Sequence, residues 1–315
     1  MYTATRAILF KALSGIHAGS GADLGIVDLP IQREKHTGFP KIESSGIKGC
    51  LREEFEKLQK NNKVEHDLVK IMFGPEEKPG SDTKHSGAIA FTDARILLFP
   101  VRSARGVFAY ATCPLVLKRL AEDFAMAKIP QPEEINLDNI NESNRALVAG
   151  ESLRIPGSDK VVLEEYTYVT DVSEAVKKLA NQIAKWLGKP DDEYLLKNLI
   201  VLPDNEFTDF TQNATEIITR IKISADTGTV ETGALFTEEL LPTETVMYSL
   251  VMASSIFLPQ DERGGPTVKA AEISGDEAEY LLGVFESNLP GYIQIGGDAT
   301  IGKGLTAVCV VKGGG

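Results

Sequence analysis

Apolar residues along the 315-residue chain follow two rhythms, one with a period of two and one with steps of three and four. Residues 3–13, TATRAILFKAL, alternate with Ile8, Phe10 and Ala12 on one face and predict a first strand. After Ser44 and Ser45, the residues Ile47, Cys50, Leu51, Phe55 and Leu58 share one helical stripe, which predicts a helix capped by one of the two serines. A short helix is expected at 64–73, and GAIAFTDARILLF (87–99) reads as one or two buried strands broken near Thr92–Asp93. Residues 114–128 carry Leu117, Leu120, Ala121 and Phe124 on one side of a third helix. The cleanest helical pattern runs from Ser173 to Leu187, with a Ser cap, Val176, Leu179, Ala180, Ile183 and Leu187 inward, and Gly188 and Pro190 as a stop. Trp186 is read as packed on that helix. Ser274 with Glu277 reads as a capping box for a helix through Asn288.

Residues 161–172 and 246–254 are strand-like, and closing strands at 292–295 and 304–311 flank GGDATIGKG (296–304). Between them, EIITRIKI, the turn Asp226-Thr227-Gly228 and VETGALF predict a hairpin within 215–242, with Arg220 and Lys222 on one face. Residues 76–86 have the polarity of a mobile loop, and 130–150 read as acidic surface loop. The order is strand, loop and helix early, then helix, strand, glycine loop and strand late. Helices scattered among antiparallel strands predict an α+β fold rather than a doubly wound parallel sheet.

Composition narrows the setting. With 43% hydrophobic and 25% charged residues the chain has the make-up of an ordinary globular protein. It has no apolar run of about 18 residues, so no membrane partner is expected. Arg6 and Lys11 interrupt the first apolar run, which therefore reads as a strand and not a signal peptide. Three widely spaced cysteines, Cys50, Cys113 and Cys309, point to a reducing, cytoplasmic location and to core filling. They argue against a disulfide framework and against a zinc site.

Charge changes the picture more. The net charge of −12 speaks against a nucleic-acid partner until its distribution is read. Residues 1–60 carry nine Lys/Arg against seven Asp/Glu, and residues 84–120 carry six against Asp93 alone. The acidity lies in runs such as 133–142 and 191–206. Phosphates respond to local potential, so an acidic chain with two basic islands still fits RNA.

Candidate chemistry concentrates in Ser14–Arg52, a stretch with seven glycines, two of the four histidines, and five cations from Arg33 to Arg52. So many glycines disfavour a plain strand or helix, and the stretch reads as an ordered loop delivered into a helix N-terminus. There Lys48 and Arg52 sit one turn apart as candidate phosphate contacts. Asp28, between Val27 and Leu29, is either structurally capped or catalytic, with His17 as a possible assistant. Arg102 and Arg105 beside Phe108 and Tyr110 suit a surface that tracks a backbone and stacks bases, or equally a strand with a core aromatic and a solvated Arg pair. In GGDATIGKG the residue after Lys303 is Gly304, so the phosphate-loop pattern G-x-x-x-x-G-K-[ST] fails, and a strand follows rather than a helix. Gly296 and Gly297 permit close backbone approach and Lys303 offers a phosphate contact; a tight turn is the competing reading. The histidines show no metal-ligand spacing, and no nucleophile elbow is present.

Longer words carry a resemblance. IHAGSGADLGIVDLPIQREKHTGFPKI, SSGIKGCLR, FTDARILLFPVRS, GVFAYATCP and TGALFTEELLP, closed by the glycine loop, resemble in order the repeated backbone subunit of the Cmr complex, the type III-B CRISPR effector, in the RAMP superfamily. The resemblance implies one RAMP-type domain over 1–315 with a ferredoxin-like (RRM-like) core. It implies insertions near 76–86, 130–160 (a lid) and 190–242, the last including a thumb hairpin at 215–242. It implies copies stacked in a helical filament on a CRISPR guide RNA, beside other Cmr subunits, that cut a complementary target RNA at regular intervals. By the same resemblance Asp28 matches the acid required for cutting, with a divalent ion (Mg or Mn) that it would help hold, and Lys48 matches a guide-binding lysine. Glu238 and Glu239 are further candidates for the reaction, supplied by a neighbouring thumb. Two alternatives stay open: a scaffold subunit that does not cut, and a precursor-processing RAMP nuclease, whose usual His/Tyr/Lys set cannot be assembled here.

Overall fold

The computed structural model describes the chain except for residues 1, 23–24, 62, 66, 76–84, 132–139, 141–143, 225, 227, 259–264 and 312–315. Most of the expected mobile loop at 76–86, and residues 132–139 and 141–143 of the expected lid at 130–160, thus lie outside the described residues.

The first strand, Ala4–Ala12, is apolar on both faces because both are covered. Ile8, Phe10 and Ala12 enter one core cluster while Ala7 and Leu9 enter the other. Its neighbours are Leu305–Val311 and Val246–Ala253, both antiparallel, and Val246–Ala253 pairs in turn with Ala94–Arg102 and Ile89–Phe91. With the helices Ser44–Lys60 and Glu277–Asn288 this is strand–helix–strand–strand–helix–strand in spatial order four, one, three, two, the ferredoxin-like arrangement. The two helices meet through Phe55 and Phe285, stacked with ring centroids 5.4 Å apart. Such a pair adds about 1 kcal/mol beyond the area it buries.

The other face is covered by Pro114–Met126 and Glu174–Trp186, through Leu117, Leu120 and Phe124 and through Val176, Leu179 and Ile183. Trp186 packs edge-on against Phe124, as expected. Ser173 caps its helix by accepting the Val176 N–H. Two other caps differ from expectation. Glu43, not a serine, holds the cap position of Ser44–Lys60, and the Asp93 carboxylate accepts the Ser44 N–H at 2.9 Å. Asp276 caps Glu277–Asn288, while Ser274 ends the preceding helix Pro266–Ser274.

The sheet continues past Ala94–Arg102 through Phe108–Thr112, Leu199–Val201, Arg145–Val148, Tyr166–Val172 and Lys160–Leu163. Residues 161–172 are therefore two strands of a hairpin, and Arg145–Val148 is a strand where loop was expected. Part of 190–242 also belongs to the main sheet: Leu199–Val201 pairs parallel with Phe108–Thr112. The thumb alone stands apart, as the two-stranded ribbon Glu216–Ile223 and Val230–Leu240. Ile217, Ile221 and Leu235 on it are more than half exposed.

Candidate active site

The glycine-rich stretch is fixed to the base of that ribbon. Ile16 and Leu241 exchange both backbone hydrogen bonds, and Gly19 bridges Ile31 where the loop returns. Leu29 then lies parallel to Glu238, its N–H donating to the Thr237 carbonyl and its carbonyl accepting from the Glu239 N–H, both at 3.0 Å. The segment bearing Asp28 is in effect a third strand laid on the thumb.

Asp28 is exposed, yet one of its oxygens is held. Oδ2 accepts from the Thr237 N–H at 2.7 Å and from the Thr237 hydroxyl at 2.9 Å, while the Asp28 N–H donates back to Thr237 Oγ1 at 3.0 Å. The backbone bond first, and the hydroxyl second, hold the carboxyl below the usual carboxylate range. Oδ1 has no protein hydrogen bond among the described residues. The result is a carboxylate anchored on one side and open on the other.

One residue further along the strand the environment inverts. Glu239 is 6% exposed and saturated: its oxygens take the Thr215 hydroxyl at 2.8 Å, the Ile31 N–H at 3.0 Å and the Arg33 guanidinium. Arg33 also donates to the Gly38 and Thr211 carbonyls, at 2.9 Å each. Glu238, 3% exposed, lies 2.7 Å from Arg220 Nη2, which also reaches Asp298 Oδ2 at 2.6 Å. Desolvation, and then a hydrogen bond with Asp298, hold Glu238 above the usual carboxylate range. His17 Nδ1 faces the Glu239 carbonyl at 2.8 Å, which places a proton there, and Nε2 lies 3.5 Å from Glu238 Oε1. Of the sequence candidates, Glu238 and Glu239 are thus buried, and His17 half-buried, in the joint between loop and thumb, each engaged with partners from the chain's own loop and ribbon.

The closing glycine loop clamps the same joint. Gly296 has φ +82°, and a Cβ there would stand 2.2 Å from the His17 carbonyl oxygen. Gly297 donates its N–H to that oxygen at 2.9 Å, and Gly304 donates to Gly15 at 2.9 Å. Close backbone approach was the expectation for these glycines, and the backbone approached is the chain's own. Lys303 is half-exposed beside them.

The helix Ser44–Lys60 is tied to the loop by Gln32, whose amide donates to the Gly19 carbonyl at 3.1 Å and accepts the Glu43 N–H at 2.7 Å. Lys48 is half-buried and donates to the Ile89 carbonyl at 3.3 Å; burial, and then the charge of Arg52, lower its pKa. Arg52 pairs with Glu56 at 2.8 Å. Arg102 and Arg105 are exposed but lie on the extended sheet, where Ser103 bridges Leu163. The aromatics beside them are not free to stack on bases. Tyr110 is 2% exposed and packs edge-on with Phe108, whose ring lies 4.7 Å from that of Tyr194.

Sequence reading singled out Asp28 and did not single out Thr237, Gln32, Arg33 or Asp298; it placed Arg220 on one face of the hairpin, and there it turns inward to Glu238 and Asp298. The side chain of Lys222 lies outside the described residues. For a metal, Asp28 offers the hard oxygen that Mg or Mn takes, and among the described residues no group of three or more His, Cys, Asp or Glu converges. Among the described residues Asp28 would be a single carboxylate ligand, without a closed centre around it.

Comparison with known proteins places this geometry. The RAMP superfamily model matches residues 9–307. The CRISPR system Cmr endoribonuclease Cmr4 of Pyrococcus furiosus is 35% identical over 298 residues, 94% of this chain and 92% of that protein. The CRISPR system CMR subunit Cmr4 of Saccharolobus solfataricus is 25% identical over 96% of each chain. The crystal structure of oligomeric Cmr4 from Pyrococcus furiosus superposes with a TM-score of 0.70 at 28% identity, covering 98% of this chain and 97% of that one. The chain belongs to the RAMP superfamily, in the branch of the Cmr4 subunits.

Proposed function

We propose that this chain is the target-cutting backbone subunit of a type III-B CRISPR effector, and that Asp28 carries the cut. Copies stack head to tail along a guide RNA, a non-closing contact that yields a filament. Base pairing selects the target, and the protein reads the shape and phosphates of the duplex. The relative that carries the endoribonuclease name and the relative crystallised as an oligomer support both halves of this reading. The observation that carries the site is the anchored, ionised and open carboxylate of Asp28 on the thumb's own strand.

The chemistry follows from RNA itself. A nucleotide turned out of the duplex brings its 2′-oxygen in line with the adjacent phosphorus. The 2′-hydroxyl gives its proton to water as the 2′-O–P bond forms, and the P–O5′ bond breaks as the leaving 5′-oxygen takes a proton from water, leaving a cyclic phosphate and a 5′-hydroxyl. A general base works best with a pKa near the working pH, and Asp28 is held well on the acidic side of that. Its part is therefore to accept a hydrogen bond from the 2′-hydroxyl and orient it. A divalent ion bound here would take Asp28 as its one protein ligand, with phosphate oxygens and water as the rest, and would neutralise charge on the phosphate. Lys48, Arg102, Arg105 and Lys303 supply phosphate contacts away from the cut.

The test is an assembled complex with guide and end-labelled complementary target. Asp28→Ala should retain target binding and lose the periodic fragments; periodic cutting by that complex would leave the chain a scaffold.

A further inference from the structure

We propose that Thr237 is the positioning residue for Asp28, so that the acid and the thumb move as one body. The proposal rests on the reading of Asp28 as the residue that carries the cut. Asp28 is at the exposed turn of a glycine-rich loop. Among the described residues, the hydrogen bonds of its carboxylate to other residues go to one partner 209 positions away. The Thr237 hydroxyl closes a ring, accepting the Asp28 N–H while donating to Asp28 Oδ2. A hydroxyl is required for this, because only that group both accepts and donates at one atom. The Thr237 N–H adds a bond that no side-chain substitution removes.

Thr237 is itself rigid. It pairs with Thr219 in the thumb ribbon, its carbonyl accepts the Leu29 N–H, and the next two residues are locked into the buried joint. On the adjoining elements Glu238, Glu239, Arg220 and His17 turn into that joint, where Arg33 and Asp298 pair with them. The free oxygen of Asp28 therefore keeps a fixed place relative to the ribbon, and a tilt of the ribbon carries it along.

The experiment compares Thr237→Val, Thr237→Ser and Asp28→Asn in the assembled guide-bound complex, with single-turnover cutting rates from pH 4 to 8 and target affinity. Thr237→Val keeps the branched shape and loses the hydroxyl. It should cut about ten-fold more slowly with unchanged target affinity, and its acid limb should move to higher pH. Thr237→Ser should restore both the rate and the limb. Should the valine complex fail to assemble, Thr237→Ala is read in the same way. Wild-type rate and limb in the hydroxyl-free variant, with Asp28→Asn inactive, overturn the positioning role and leave the Asp28 reading intact. Equal loss in the valine and serine variants overturns it as well. Periodic cutting by Asp28→Asn removes the reading on which it rests.

Discussion

Asp28 and Glu238 touch neighbouring residues of one strand, yet the fold drives them in opposite electrostatic directions. Asp28 is in water, accepts two hydrogen bonds, and is stabilised as an anion. Glu238 is buried, shares a hydrogen bond with another acid, and is pushed toward its neutral form despite Arg220. The difference shows that surface hydrogen-bond donors hold an acid as an anion, whereas burial favours the neutral acid and sets it in a fixed joint. On the proposed function the exposed acid serves the chemistry, and the buried one holds the geometry.

The largest test of that division is Asp28→Asn, which should slow target cutting roughly 1,000-fold in single-turnover assays and lower the melting temperature only slightly. Arg220→Ala should do the reverse. It leaves Glu238 and Asp298 facing each other without their cation and should cost about 3 kcal/mol in urea unfolding. Gly296→Ala, which forces a Cβ against the His17 carbonyl at a positive φ, should cost about 2 kcal/mol by the same measurement.

Proton linkage sharpens the contrast because its sign differs between the two acids. The folded pKa of Glu238 is raised above 4.5, so its contribution to stability is present below that pH and is lost as pH rises toward the folded value. That of Asp28 is lowered below 3.8, so its contribution is present above 3.8 and is lost as pH falls through the folded value. Denaturation midpoints between pH 3 and 7 should show Glu238→Gln flattening the upper limb and Asp28→Asn only the acid end. The smallest effect is expected at Lys48→Ala, already half-committed to the Ile89 carbonyl. It should weaken guide binding a few-fold and reduce the log–log salt slope by about one.

What the sequence made legible was local. The Ser173 cap and the stripe to Leu187 stated a helix outright, and the hairpin turn at Asp226 stated a ribbon. Asp28 was visible as an acid among apolar residues, although its role came through family resemblance. Thr237 was invisible because its meaning is a pairing across 209 residues, and a threonine in TEELLP reads as an ordinary strand residue. Asp93 and Asp276 were missed as caps for a related reason. At Ser44 the serine satisfied the local rule while its N–H went to Asp93, 49 positions away, and at Ser274 the cap fell two positions on, at Asp276. Glu238 and Glu239 read as candidates for the reaction from a neighbouring thumb; their burial was not legible, because the cations that compensate it, Arg220 across the ribbon and Arg33 206 positions away, meet them only in the fold.

The parallel bridge between Leu29 and Glu238 also sets an order of events during synthesis. The loop leaves the ribosome early, without the strand that holds it. Until Thr237 follows, Asp28 is a side chain on an untethered stretch of glycines, and until Gly296 follows the joint beneath it has no clamp. Contacts this distant along the chain close late in folding. A nascent subunit that has not yet reached Thr237 and Gly296 therefore has the acid but not its geometry.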